Sequence, residues 1–210
     1  MHIQDTAAEH PVTASRTLLS TGIFDVAEES FRFGDDGEQL TRVFVQHPGA
    51  VAVVAVDVAD RVLLINQYRH PVRMNLWEVP AGLLDIDGEP MLTAAQRELH
   101  EEADITASTW HTLVDFYTTP GAHNEAIRIY LAEGIDAVPE SQRHARQAEE
   151  AQIQVEWVPL AEAVAAVLAG QIHNPSAALG ILALHAVRSG GAELRAADAP
   201  WPQQPRGIAP

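Results

Sequence analysis

Apolar and polar positions alternate at two different periods along this chain, and the switches between them mark its elements. Residues 1 to about 19 are polar and read as a mobile lead. From Gly22 to Val45 the alternation is strand-like: Phe24, Val26, Phe31 and Phe33 precede the turn signal Asp35-Asp36-Gly37, and Leu40, Val43 and Val45 follow it. That predicts a small antiparallel hairpin or three-stranded sheet outside the main core. Ala50 to Val56 and Arg61 to Tyr68 are two apolar runs separated by the turn-like Asp57 to Asp60, and they read as a second hairpin. Further strand-like runs lie at His111 to Tyr117, Ala126 to Leu131 and Ala151 to Val158.

The helical period appears in three places. Thr93 followed by Gln96 is a capping-box pattern, opening a helix on which Ala95, Leu99 and Ala103 form an apolar stripe. Leu160 to Ala169 is Ala-rich and stops at Gly170. Asn174-Pro175-Ser176 gives an N-cap with Pro in the first turn, for a helix running to about Arg188 before Gly190-Gly191. The order of strands, helix, strands, helices predicts an α/β protein with a mixed sheet covered on both faces.

The first of these helices carries an unusual polar face. Glu98, Glu101 and Glu102 form an i, i+3, i+4 set, so three carboxylates project from nearly one side, and like charges at that spacing repel. A hard divalent cation reverses the sign of the effect, because Mg²⁺ and Mn²⁺ prefer carboxylate oxygen. Taken alone, such a cluster is also what a solvated acidic face looks like. The loop before it holds Gly82 and Gly88, where backbone can approach a ligand, and Glu89 is placed to pair with Arg97.

Composition limits what this face can serve. A hydrophobic content of 47% over 210 residues suits a globular fold with one good core. Cysteine is absent, which removes disulfides, thiolate metal sites and a Cys nucleophile and fits a reducing cytoplasm. The first sixteen residues lack the basic start and apolar run of a signal peptide, and the longest apolar stretch is too short to span a bilayer. A formal net charge of −16 disfavours nucleic-acid and anionic-membrane partners. A phosphorylated small molecule would be repelled too, unless bound metal and a few of the 13 Lys and Arg residues supply local positive charge.

Residues 82 to 105 resemble the Nudix box: Gly, five residues, Glu, seven residues, Arg-Glu, an aliphatic residue, any residue, Glu-Glu, any residue, Gly and an aliphatic residue. Glu89, Arg97, Glu98, Leu99, Glu101, Glu102 and Ile105 fall in register. Six residues instead of five separate Gly82 from Glu89, and Asp104 replaces the late Gly; that position ends the helix and calls for a left-handed backbone. Three other segments resemble the ADP-ribose pyrophosphatase subfamily of that superfamily: His47-Pro48-Gly49-Ala50-Val51, Gln67-Tyr68-Arg69-His70-Pro71, and Trp77-Glu78-Val79-Pro80-Ala81-Gly82. Pro120, sixteen residues after Asp104, is a further mark of it.

The resemblance implies a Nudix-type α/β/α sandwich over 47–192, preceded by a small N-terminal antiparallel β domain (1–46) and followed by a loose tail (193–210). It implies a metal-dependent pyrophosphohydrolase that cleaves ADP-ribose to AMP and ribose 5-phosphate using Mg²⁺ or Mn²⁺. Another ADP-sugar, a GDP-sugar, an oxidised nucleotide or a non-catalytic nucleotide-sensing role are the alternatives. Glu98 and Glu102 would be principal metal ligands, with Glu101 a further ligand or metal-water contact and the Ala81 carbonyl completing the sphere. Gly82, Glu89 and Arg97 would be structural in the box. Arg69 would clamp the diphosphate, with Glu78 orienting Arg69 or contacting the terminal ribose; Glu125 would support the metal site or brace a loop. The general base would be Glu149, with Glu150 and then Glu101 as alternatives. In this subfamily the N-terminal domains are exchanged in a homodimer, which would place Ile23 and Phe24 against adenine.

Overall fold

A computed structural model describes residues 3–146 and 152–204. It divides into two compact units, one of 1–49, 117–126 and 200–210, the other of 50–116 and 127–199. In the second unit, β4 (Ala50–Ala55) lies inside a five-stranded sheet of order β11-β8-β9-β4-β7, with β7 at Ala81–Leu83, β8 at Ile105–Tyr117, β9 at Ala126–Ala137 and β11 at Arg195–Ala196. The sheet is mixed, because β4 pairs parallel with β9 and antiparallel with β7. A second sheet has the order β10-β5-β6, from Gln154–Pro159, Arg61–Arg69 and Met74–Glu78.

All six residues of β4 are buried, and their alternation divides the core in two. Ala52 and Val54 pack with Ile129, Leu131, Val62 and Leu64 beneath α2 (Leu160–Leu168) and α3 (Pro175–Arg188). Val51, Val53 and Ala55 face the other way, with Leu63, Ile65 and Tyr130, onto Ala94, Ala95, Leu99 and Ala103 of α1 (Met91–Ala103). Helices therefore cover both faces, giving the expected α/β/α sandwich. The stripe of α1 makes a core side, beside which Glu102 is buried while Glu98 and Glu101 are half-buried.

Several local expectations change. The runs at 50–56 and 61–68 are joined by a tight turn, with the Asp57 N–H donating to the Arg61 carbonyl, yet they form no hairpin. Beyond a single Val56–Val62 bridge the two strands diverge into different sheets. Thr93 and Gln96 do not cap α1, whose N-cap is Pro90, three residues earlier, with no side-chain cap bond; Pro at the entry fixes φ in their place. At α3 the expected cap is present: Asn174 Oδ1 accepts from the Ala177 N–H at 2.9 Å.

The first unit carries an antiparallel sheet of β1 (Val12–Ser20), β2 (Asp25–Phe33) and β3 (Glu38–Gln46), in that order. β1 falls in the lead expected to be mobile. All nine of its residues are exposed, so it has no buried face to announce it. The segment from 193 onward, expected to be loose, is tied down at several points among the described residues. Arg195–Ala196 pairs with β8, Arg128 Nη1 donates to the Ala199 carbonyl, and the Tyr117 hydroxyl donates to the Gln203 carbonyl.

Candidate active site on the acidic helix

Arg97 organises the acidic face of α1. Its Nε and Nη2 form a bidentate pair with Glu89 at 3.1 and 3.0 Å, while Nη1 contacts Glu98 at 2.5 Å and Glu101 at 3.4 Å. The Glu89 bond raises the guanidinium pKa most, partial burial opposes it, and the Glu98 charge adds to it; in return, the bond from Arg97 holds the Glu89 carboxyl below its ordinary range. Glu89 is thus the brace the sequence suggested. The loop that enters α1 holds a turn closed by the Glu89 N–H on the Ile86 carbonyl.

Glu102, buried, accepts a hydrogen bond from the Ala81 N–H at 2.8 Å. One residue on, a Cβ built on Gly82 would fall 1.9 Å from Glu98 Cδ, so the main chain of β7 lies directly against that carboxyl and no other residue fits there. Strand β7 and the glutamates of α1 thereby form one oxygen-rich surface. All its donors are hard oxygens, carboxylate and backbone carbonyl, which is the chemistry that Mg²⁺ and Mn²⁺ favour. Among the described residues no three His, Asp or Glu side chains stand already spaced for an ion, since Glu98 and Glu101 turn to Arg97 and Glu102 to the Ala81 amide. A cation held by Glu98 and Glu101 would compete with Arg97 for their carboxylates.

Arg69 and Glu78 come together across the β5–β6 pair, through Nε–Oε1 at 3.0 Å and Nη2–Oε2 at 2.8 Å. The Glu78 side chain is 2% exposed and that of Arg69 40%, so the buried carboxylate aims a guanidinium that still reaches solvent.

Asp104 ends α1 in the left-handed region, at φ 55° and ψ 41°. Arg146, which no sequence signal singled out, donates from Nη2 to Asp104 Oδ2 and from Nε to the Glu101 carbonyl at 2.9 Å. An Arg in a polar stretch has no spacing that ties it to a helix end 42 residues earlier.

Other expected residues belong to the first unit. Ile23 and Phe24, both exposed, line a cleft of about 370 Å³ with Thr21, Gln46, His47 and Asn124. Pro120 lies in a turn in which the Thr119 carbonyl accepts from the Ala122 and His123 N–H groups. Glu125 takes a hydrogen bond from the Thr118 hydroxyl at 2.7 Å and stands 3.5 Å from His47 Nδ1, so it braces this loop. Burial pushes the His47 pKa down, with Glu125 opposing and His123 reinforcing the shift. Glu149 and Glu150 lie outside the described residues.

Comparison with known proteins accords with this arrangement. The NUDIX domain family matches residues 46–178. The chain is 43% identical over 204 residues to an ADP-ribose pyrophosphatase of Mycobacterium tuberculosis, covering 96% of this chain and 97% of that one. It is 32% identical over 174 residues to an ADP-ribose pyrophosphatase of Bacillus subtilis, covering 82% and 91%. A crystal structure described as an ADP compounds hydrolase superposes with a TM-score of 0.64 at 21% identity, over 90% of this chain and 100% of the other, and so shares the fold. With the box in register on α1 and the family match spanning most of the sandwich, this chain belongs to the Nudix family and is a Nudix hydrolase.

Proposed function

We propose that this enzyme hydrolyses ADP-ribose to AMP and ribose 5-phosphate, with Mg²⁺ or Mn²⁺ bound by Glu98, Glu101, Glu102 and the Ala81 carbonyl. The observation that carries the reaction class is the packing of β7 against Glu98 and Glu102, which gathers hard oxygen donors on one surface. The choice of substrate rests on the near full-length likeness to a protein named ADP-ribose pyrophosphatase. A divalent cation bound there would neutralise diphosphate charge and lower the pKa of the attacking water.

The chain's own residues do the rest. Arg69, aimed by Glu78, supplies a planar fork of donors for a diphosphate oxygen pair. Glu149 takes the proton from water, with Glu150 next in order, a role that rests on sequence register alone. Ile23 and Phe24 contact adenine, and a homodimer with exchanged N-terminal domains brings them to the partner's substrate. Exposed apolar residues, among them Val12, Leu18, Leu19, Ile23, Phe24, Phe33 and Val43, give that unit apolar surface suited to burial. The absence of cysteine suits action in the cytoplasm.

A substrate panel tests the reading: ADP-ribose, another ADP-sugar, a GDP-sugar and an oxidised nucleotide, each with Mg²⁺, with Mn²⁺ and with chelator. ADP-ribose is expected to give the highest kcat/KM and to yield AMP only when metal is present. A higher value for another substrate would reassign the specificity, and no turnover of any would favour a sensing module.

A further inference from the structure

We propose that Arg146 is a positioning residue for the box helix, holding the last turn of α1 so that Glu101 is presented to the cation. This rests on the reading of α1 as the metal-binding element. The final carbonyls of a helix lack intrahelical partners. Here the His100 carbonyl is taken by the Asp104 N–H, and the next, that of Glu101, by Arg146 Nε at 2.9 Å. The same guanidinium holds the Asp104 carboxylate through Nη2. One cation thus fastens the main chain of Glu101 and the residue that ends the helix.

The departure of Asp104 from the family pattern then has a physical use. Gly would adopt φ 55° with less strain but would offer Arg146 nothing to hold. Asp104 Oδ1 is buried and accepts no hydrogen bond among the described residues, which leaves Arg146 as the cation that compensates this carboxylate. Glu101 needs such support most. Its side chain is 31% exposed and lies 3.4 Å from Arg97, whereas Glu98 packs on Gly82 and Glu102 is bound to the Ala81 amide. The direction of Glu101 is therefore set chiefly by its main chain, which Arg146 holds.

Arg146→Met, Arg146→Lys and Asp104→Asn would be compared with the natural chain by Mn²⁺ titration, following the free-ion electron paramagnetic resonance signal. kcat and KM for ADP-ribose would be measured below the onset of each variant's melting. Loss of an outer-shell partner typically weakens metal binding by about 10-fold or more, so Arg146→Met is expected to raise the Mn²⁺ Kd and lower kcat by about that factor, with KM little changed. Arg146→Lys, which keeps the charge but loses the two-point fork, should recover part of both, and Asp104→Asn should fall between. If Arg146→Met does not fold, the other two variants carry the comparison. A lowered Tm with unchanged Mn²⁺ Kd and kcat would mean a cap of purely structural effect and overturn the proposal alone. A natural chain that neither binds Mn²⁺ nor cleaves ADP-ribose would overturn the reading beneath it as well.

Discussion

Arg97 and Gly82 make the acidic face compatible with folding, one by charge and the other by having no side chain. Arg97 neutralises Glu89 and Glu98, so Arg97→Ala leaves like charges at i, i+3 and i+4 on α1 and should cost about 1–3 kcal/mol. A cation on the same carboxylates, as proposed, would substitute for the guanidinium. The destabilisation should therefore be smaller in Mg²⁺ than in chelator, as paired urea titrations would show; an equal loss in both would mean that metal and Arg97 do not share these ligands. Gly82→Ala places a methyl on the Glu98 carboxyl, and Glu98 must swing away or the β7 backbone must move. About 1–3 kcal/mol of stability should be lost, by the usual cost of overpacking, and Mn²⁺ affinity should fall with it. A variant that binds Mn²⁺ as before would show that Glu98 is no ligand.

The elements differ in how plainly the sequence announces them, and the reason is what each one buries. α3 is the plainest: Asn174 caps it, Pro175 opens it, and its apolar positions pack on β4. Asn174→Ala removes the bond to the Ala177 N–H and should cost about 1 kcal/mol, with kcat for ADP-ribose unchanged, in thermal melts set beside steady-state assays. A loss above 3 kcal/mol would mean that the cap also fixes the packing of α3. β4 reads as a strand because every residue is apolar, but no local pattern says that β4 and β5, joined by a hairpin-like turn, join different sheets. That choice is made by β7 and β9 pairing with β4, and β7 is three residues long. β1 was invisible because neither of its faces is buried. In the site itself, the three glutamates are legible from helical spacing, the Glu89–Arg97 pair from its place at the entry to that helix, and Arg69 and Glu78 only from the family resemblance. Arg146 is not, since its two contacts depend on tertiary approach alone.

Across the whole molecule, a net charge of −16 makes ionisation a stability variable, and His47 is the group whose burial gives it a clear sign. The Gly49 N–H donates to His47 Nδ1, which suits the neutral ring with its proton on Nε2. Burial first, and the neighbouring His123 after it, lower the folded pKa despite Glu125, so an unfolded chain takes up this proton before the folded one. The stability it contributes is present above about pH 6.5, the ordinary His value, and is lost as pH falls toward the lower folded pKa, with a slope of at most about 1.4 kcal/mol per pH unit. Urea titrations from pH 7.5 to 5 should show a shallower slope in His47→Gln than in the natural chain; identical slopes would mean that His47 does not contribute to the pH dependence. The wider claim is that a chain of strongly negative charge cleaves an anionic diphosphate because cations gathered on α1 reverse the local field. Its most direct measurement is AMP release from ADP-ribose against Mg²⁺ concentration, for the natural chain and for Glu102→Gln with its fold checked by circular dichroism. The expected result is saturable, metal-dependent turnover in the natural chain and a loss of about 100-fold or more in the folded variant, the scale on which lost transition-state charge stabilisation acts. Turnover that survives chelation, or a folded Glu102→Gln enzyme with unchanged kcat, would contradict it.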